Sequence, residues 1–160
     1  MNRENVFEQL KIDEGVKYVI YLDHLNLPTF GVGHLILETD PEYEYEVGTP
    51  ISEERVWEVF ERDLDIAIGE CRALYGYWDD LPGEVQEILV NMMFNMGRTR
   101  LSKFIKMNEH LSIGDWKTAA IEGRDSLWYH QVTNRAERLM SRLENVSGKL
   151  SIQHRSQFLT

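Results

Sequence analysis

At 160 residues, with 42% hydrophobic and 11% aromatic side chains, the chain is long enough to bury one substantial core and suits a single domain. Its 27 acidic residues outnumber 17 basic ones, and the formal net charge of −10 argues against nucleic acid as a partner. The single cysteine, Cys71, excludes an internal disulfide framework, and no apolar run approaches the roughly 18 residues of a membrane span. The first residues lack the basic, then apolar, then small-residue order of a signal peptide, so synthesis in a reducing cytoplasm without stable membrane association is expected.

The first helix reads from Asn5, an N-cap residue type with Glu8 three positions on, to Gly15, which suits a left-handed C-cap. Phe7, Leu10 and Glu14 fall at i, i+3 and i+7, so the apolar face ends in a carboxylate. Partial burial there would raise the pKa of Glu14 and favour a protonated form able to act as an acid. The plainer reading is an ordinary solvated glutamate in the last turn of a surface helix. Val16–Leu22, rich in β-branched and aromatic residues, reads as a strand that delivers Asp23 at its end. Pro28 and the Gly31-Val-Gly33 pair then mark a hairpin; a phosphate loop fits less well, because no third glycine and no helix follow. Thr29 lies in the second strand, near enough in sequence for Asp23 and Thr29 to address one water. Two carboxylates held apart by a rigid turn are what glycoside hydrolysis needs: one protonates the leaving oxygen, the other handles water or developing positive charge.

Between Asp40 and Val47, Glu42, Glu44 and Glu46 alternate with Tyr43, Tyr45 and Val47. The period of two predicts a short exposed strand with its aromatic side packed inward; a tyrosine stripe stacking on sugar is the alternative. Ser52 is placed to cap a long helix from Glu53, with Val56, Phe60, Leu64, Ala67, Ile68 and Cys71 as its apolar stripe. The rest reads as helical. Pro82 opens one helix and Gly97 closes it, Asp115 caps another carrying Trp116, Ala119 and Ala120, and Arg135–Leu143 forms a late amphipathic helix capped by Thr133. Met92, Met93, Phe94 and Met96 read as buried core, and Arg135 taken alone as a solvated arginine near a helix start. The five histidines are scattered without an i, i+4 pair, so no metal is expected. The tail from Ser147 to Thr160 is polar and expected to be loosely held.

Several blocks, taken together and in order, carry a resemblance. They are Asp13-Glu14-Gly15, Tyr21-x-Asp23, Thr29-Phe-Gly-Val-Gly-His34-Leu35, Phe60-Glu-Arg-Asp63-Leu-Asp65, Asn91-Met-Met-Phe-Asn-Met-Gly97 and Trp128-Tyr-His-Gln-Val-Thr-Asn-Arg135-Ala. From Asn5 to about Leu143 the chain resembles the T-even phage lysozymes, muramidases that open bacterial walls. The resemblance implies an α+β, mostly α, lysozyme-like fold, with a small β-containing N-terminal lobe and a larger helical C-terminal lobe joined by a long helix. It lays one lysozyme domain over residues 1–160: a β-containing lobe at about 15–51, the connecting helix at 52–75, a helical lobe from 5–14 with 76–146, and the polar tail at 147–160.

It also implies roles. Glu14 matches the general acid, Asp23 the second carboxylate, and Thr29 the hydroxyl that helps place the attacking water. Arg135 matches an arginine that pairs with the catalytic glutamate, and His34 and Asp63 match an ion pair joining the hairpin to the long helix. Leu35, Phe94 and Asn95 match positions that line the sugar. The implied reaction is direct attack by water, with inversion, on the β-1,4 bond between N-acetylmuramic acid and N-acetylglucosamine, the carboxyls standing about 6.5–9.5 Å apart. Neither metal nor cofactor is implied. The expected partner is bacterial peptidoglycan, and the expected protein is a monomer kept in the host bacterial cytoplasm until a holin lets it reach the periplasm. An entry muramidase of the virion and a catalytically silent glycan-binding domain are the alternatives. The sequence departs from the family's pattern in three places: His24-Leu-Asn-Leu-Pro28 lacks a turn glycine, Val132-Thr133 lacks a proline, and the family's usual basic charge is reversed. Long-range attraction to an anionic wall would then be absent or reversed over a Debye length of about 10 Å, a penalty that a saline setting would screen.

Overall fold

Residues 1–150 are described in this computed structural model; most of the tail read as loosely held, 151–160, lies outside the described residues. The chain runs α1 (Arg3–Glu14), β1 (Lys17–Leu22), β2 (Pro28–Gly31), β3 (His34–Leu35), α2 (Glu53–Leu74), α3 (Gly83–Ser102), α4 (Ile105–Ser112), α5 (Trp116–Arg124), α6 (Leu127–Gln131) and α7 (Thr133–Glu144). This is the mostly helical α+β architecture expected, with one small antiparallel sheet in the order β1-β2-β3. The chain divides into two units, Arg3–Ile66 and Met1–Asn2 with the chain from Ala67 onward, and α2 carries it from one to the other. No helix among the described residues is long and apolar enough to cross a membrane.

In the first unit, Ile20, Phe30, Ile36, Ile51, Val56 and Val59 form a buried cluster with Phe7 and Val16 packed against it. Tyr21 pairs with Thr29 and Thr29 with Leu35, while Phe30 pairs with His34. Directly paired residues share a face and neighbours along a strand alternate. Ile20 and Phe30 therefore turn toward the core, and Tyr21, Thr29 and Leu35 form a row across the opposite face. Gly31 has φ +65°, a conformation that strains any other residue, and a Cβ there would come 3.3 Å from Val56 Cγ1, tighter than an ordinary contact, so the sheet lies close against α2.

Helix α1 starts at Arg3 rather than after an Asn5 cap. Arg3 Nη2 meets Asp65 Oδ1 at 2.7 Å and the Glu61 carbonyl at 3.4 Å, so α2 secures the first turn. Ser52 caps α2 as expected, its hydroxyl accepting from the Arg55 N–H at 3.1 Å. The whole predicted stripe from Val56 to Cys71 is buried, and burial pushes the Cys71 thiol up to about 12.

The stretch from Asp40 to Val47 is not a strand. Pro41–Glu44 is a single 3-10 turn, and of Glu42 to Val47 only Glu42 is buried; Tyr43 and Tyr45 are each 52% exposed, so the aromatic side does not pack inward. Arg55 decides this: its guanidinium reaches both Glu42 oxygens, and a buried carboxylate so paired is tolerable where a lone one is not.

The second unit is helical. Gly97, at φ +81° and ψ +169°, breaks α3 where the sequence placed an end, but a further stretch continues to Ser102. Met92 and Met93 are buried, whereas Phe94 and Met96 are only half-buried. Asp115 caps α5 by accepting from the Thr118 N–H at 3.1 Å. Thr133 does not cap α7: it is the first helical residue, and its hydroxyl donates to the His130 carbonyl at 3.4 Å. Arg124 of α5 joins Glu137 and Glu144 of α7 at 2.9–3.0 Å. Arg124 first, then Tyr129 and Ser141, lower the Glu137 carboxyl to about 2.

Candidate active site

Glu14 is the last residue of α1, and the chain reverses at once through Gly15 at φ +78°. Its side chain is exposed, not partly buried as the helical pattern suggested. The apolar face of α1 ends one turn earlier, at the fully buried Leu10.

Asp23 folds the turn that follows β1. Its Oδ1 accepts the backbone N–H of Leu25 at 2.8 Å and that of Leu27 at 3.0 Å. Its own N–H donates to the Leu27 carbonyl at 3.0 Å, and the Asn26 N–H donates to the Asp23 carbonyl at 2.9 Å. Asn26 adopts φ +62°, the left-handed conformation that the absent glycine would have supplied and that asparagine tolerates better than most residues. The Leu27 N–H is the foremost cause holding the Asp23 carboxyl below its ordinary value. Burial opposes it, and the Leu25 N–H and nearby His24 reinforce it. Asp23 is therefore an ionised acceptor at neutral pH.

Thr29 is buried, and its hydroxyl donates to the same Leu27 carbonyl at 2.9 Å. One peptide group thus fixes both side chains. With its proton committed, Thr29 Oγ1 offers only lone pairs to anything else. Leu35, the third member of the row, is 42% exposed.

Tyr21 was not singled out by the sequence beyond its place in a motif. It stands across from Thr29, and the Lys17 ammonium lies 4.1 Å from its ring centroid. Burial foremost, then the charges of Asp23 and Glu14, raise its phenol above the ordinary value, so both carboxylates bear on this one ring. The sequence signal that could have found it is its position two residues before Asp23 on a strand.

His34 is buried between two carboxylates: Nδ1 lies 2.8 Å from Asp63 Oδ2, and Nε2 lies 2.7 Å from Asp40 Oδ2. Asp40 had not been anticipated. It also accepts from the Leu37 N–H at 2.9 Å and from Arg62 Nη2 at 3.0 Å. Burial is the largest single effect on His34 and pulls its pKa down. The hydrogen bonds and charges of Asp63 and Asp40 outweigh it, and the net shift is upward. Among the described residues no group of three or more His, Cys, Asp or Glu side chains could hold a metal ion.

Glu14, Asp23, Thr29, His34, Leu35 and Asp63 belong to the first unit, and Phe94, Asn95 and Arg135 to the second. In the second, Asn95 Oδ1 accepts from Trp128 Nε1 at 2.8 Å, and half-buried Phe94 precedes it in α3. Arg135 donates through Nε to Asn91 Oδ1 at 2.8 Å and through Nη2 to the Asn91 carbonyl at 3.2 Å.

The profile of the family described as phage lysozyme matches residues 11–145. The chain is 33% identical over 150 residues to the pre-baseplate central spike protein of Enterobacteria phage T4. That match covers 82% of this chain but 26% of the spike protein, so the chain spans about a quarter of that relative. It is 31% identical over 156 residues to the probable T4-type lysozyme 2 of Dictyostelium discoideum, covering 86% of this chain and 92% of the relative. To the probable T4-type lysozyme 1 of the same organism it is 27% identical over 159 residues, covering 88% and 94%.

Two outcomes follow from the geometry. Asn26→Gly keeps the left-handed turn and should change stability by less than about 0.5 kcal/mol, whereas Asn26→Val should cost on the order of 1–2 kcal/mol in urea unfolding. His34→Asn should lower the melting temperature by several degrees, a loss of roughly 2–3 kcal/mol for a largely buried pair. A histidine whose pKa is raised on folding contributes fully below its unfolded value of 6.5 and loses that contribution as pH climbs through the folded value. The gap between native and variant melting temperatures should therefore be widest near pH 5 and narrow steadily above pH 6.5.

Proposed function

Because the chain belongs to the phage lysozyme family, we propose that it is a muramidase cleaving the β-1,4 bond between N-acetylmuramic acid and N-acetylglucosamine of bacterial peptidoglycan, with inversion, during host lysis. The observation that carries the catalytic detail is the sharing of the Leu27 peptide by Asp23 and Thr29. Asp23 Oδ1 is occupied by two backbone N–H groups, and Thr29 has committed its proton. A water between them donates one hydrogen to Asp23 Oδ2 and the other to Thr29 Oγ1, which turns a lone pair toward the anomeric carbon. As the water oxygen bonds to that carbon, the bond to the leaving oxygen breaks. Glu14 supplies the proton to the leaving oxygen, Asp23 receives the one lost by water, and the configuration inverts.

In this reading Leu35 lines the sugar, and the His34–Asp63 pair holds β3 to α2. The protein acts as a monomer, waits in the host cytoplasm and reaches the periplasm when a holin opens the inner membrane. Its acid is concentrated in Arg3–Ile66, where 16 acidic residues face 5 basic ones, so wall affinity should improve with salt rather than weaken. A second reading, a muramidase carried by the virion and used at entry, is favoured by the likeness to the spike protein. Detection of the chain in purified virions would establish it.

Release of reducing ends from purified peptidoglycan, measured across a salt series, tests the assignment. Glu14→Gln, which keeps the shape of the side chain, should leave the fold intact and lose about 10²–10⁴-fold in rate. An unchanged rate would remove Glu14 from the chemistry; binding without release by the native chain would leave a glycan-binding domain. Proton NMR of a soluble fragment during the first turnovers should show the α-anomer appearing first, and an initial β-anomer would exclude inversion.

A further inference from the structure

A sugar laid across the Tyr21–Thr29–Leu35 row presents both acceptors and donors, yet the side chains of this face are almost all acceptors. Asp23 is ionised and can only accept. Thr29 has directed its proton into the Leu27 carbonyl. Leu35 has no polar atom, and in the reading above the Glu14 proton goes to the leaving oxygen. Besides the Lys17 ammonium, which lies against its ring, Tyr21 is the exception. Its phenol keeps its proton far above neutral pH, and its hydroxyl has no protein partner among the described residues. The ring is half-buried and backed by the Lys17 ammonium, which fixes its orientation through a cation–π contact. The charges of two carboxylates therefore act on a positioned, unspent O–H group.

We propose that Tyr21 is a substrate-binding residue, its hydroxyl donating a hydrogen bond to a hydroxyl or N-acetyl oxygen of the sugar that lies over the Tyr21–Thr29–Leu35 row. The proposal rests on the muramidase reading and adds to it the donor that selects and seats the sugar. Phenylalanine at this position keeps the ring and its contact with Lys17 and removes only the donor.

The test uses a soluble N-acetylated oligosaccharide cut from peptidoglycan. Its Kd is measured on the Glu14→Gln chain with and without Tyr21→Phe, and KM and kcat on the otherwise native chain. Loss of one hydrogen bond should weaken Kd and raise KM by about three- to tenfold, with kcat within about twofold. The melting temperature should not move, because no protein group loses a partner. Lys17→Met, which frees the ring but keeps the hydroxyl, should raise KM by less than Tyr21→Phe does. Equal Kd and KM in the presence and absence of the hydroxyl would overturn the proposal. A fall confined to kcat would overturn it too, since the hydroxyl would then act on the reacting groups, and so would a Lys17→Met effect as large as that of Tyr21→Phe. A native chain that cleaves while Tyr21→Phe matches it sinks this proposal alone; a native chain that releases no reducing ends sinks the muramidase reading instead.

Discussion

Asp23 and Thr29 answer to a single peptide. The Leu27 N–H holds one oxygen of Asp23, and the Leu27 carbonyl takes both the Asp23 N–H and the Thr29 hydroxyl. This closed set of hydrogen bonds makes the turn, sets the strand register that places Tyr21 opposite Thr29, and decides which lone pairs remain available. A turn that depended on Asp23 through both oxygens would have no acceptor left for chemistry. A turn that ignored Asp23 would leave the carboxylate to wander. The turn uses Oδ1 of Asp23 and leaves Oδ2 out of its hydrogen bonds, and Asn26 makes this possible by accepting the left-handed conformation.

The buried ions of the first unit solve a different problem. A lobe with so many carboxylates would repel itself if they were spread evenly. Instead Asp40 and Glu42 are taken inside, where His34, Arg62 and Arg55 meet them, and Arg55 reaches Glu58 as well. The short connection after β3 is thus held to α2 by charge pairing in its middle as well as by Ile36 and Ile51, which join Val56 and Val59 in the apolar cluster. Breaking any one partner leaves a desolvated charge behind, so the cluster confers order on the connection more surely than net stability.

What could be read from the sequence depended on how local the deciding force was. The stripe of α2 and the caps at Ser52 and Asp115 are fixed by neighbours within a turn, and they are found as read. The hairpin was also legible, because Pro28 and two glycines leave little else. The alternation after Asp40 misled because what turns inward there is the single Glu42, drawn in by Arg55, which arrives from α2. The helical pattern said which side of Glu14 was apolar but not where the core beneath α1 stops. The Asn5 and Thr133 caps failed for a related reason: Arg3 anchors α1 to α2 in one case, and the helix simply begins on the threonine in the other. Asp40 beside His34 becomes visible only when the chain after β3 is folded back, and Tyr21 had only its place two residues before Asp23 to point to it.

Cys71 has a consequence of another kind. Thiol reagents attack the thiolate, and this thiol has no exposure and a pKa pushed to about 12. Modification must therefore wait for α2 to be uncovered at that point. The chain carries a single internal clock: the pace at which Cys71 is labelled reports how often the second unit opens around it, and how that pace changes with temperature or bound glycan separates local breathing from complete unfolding.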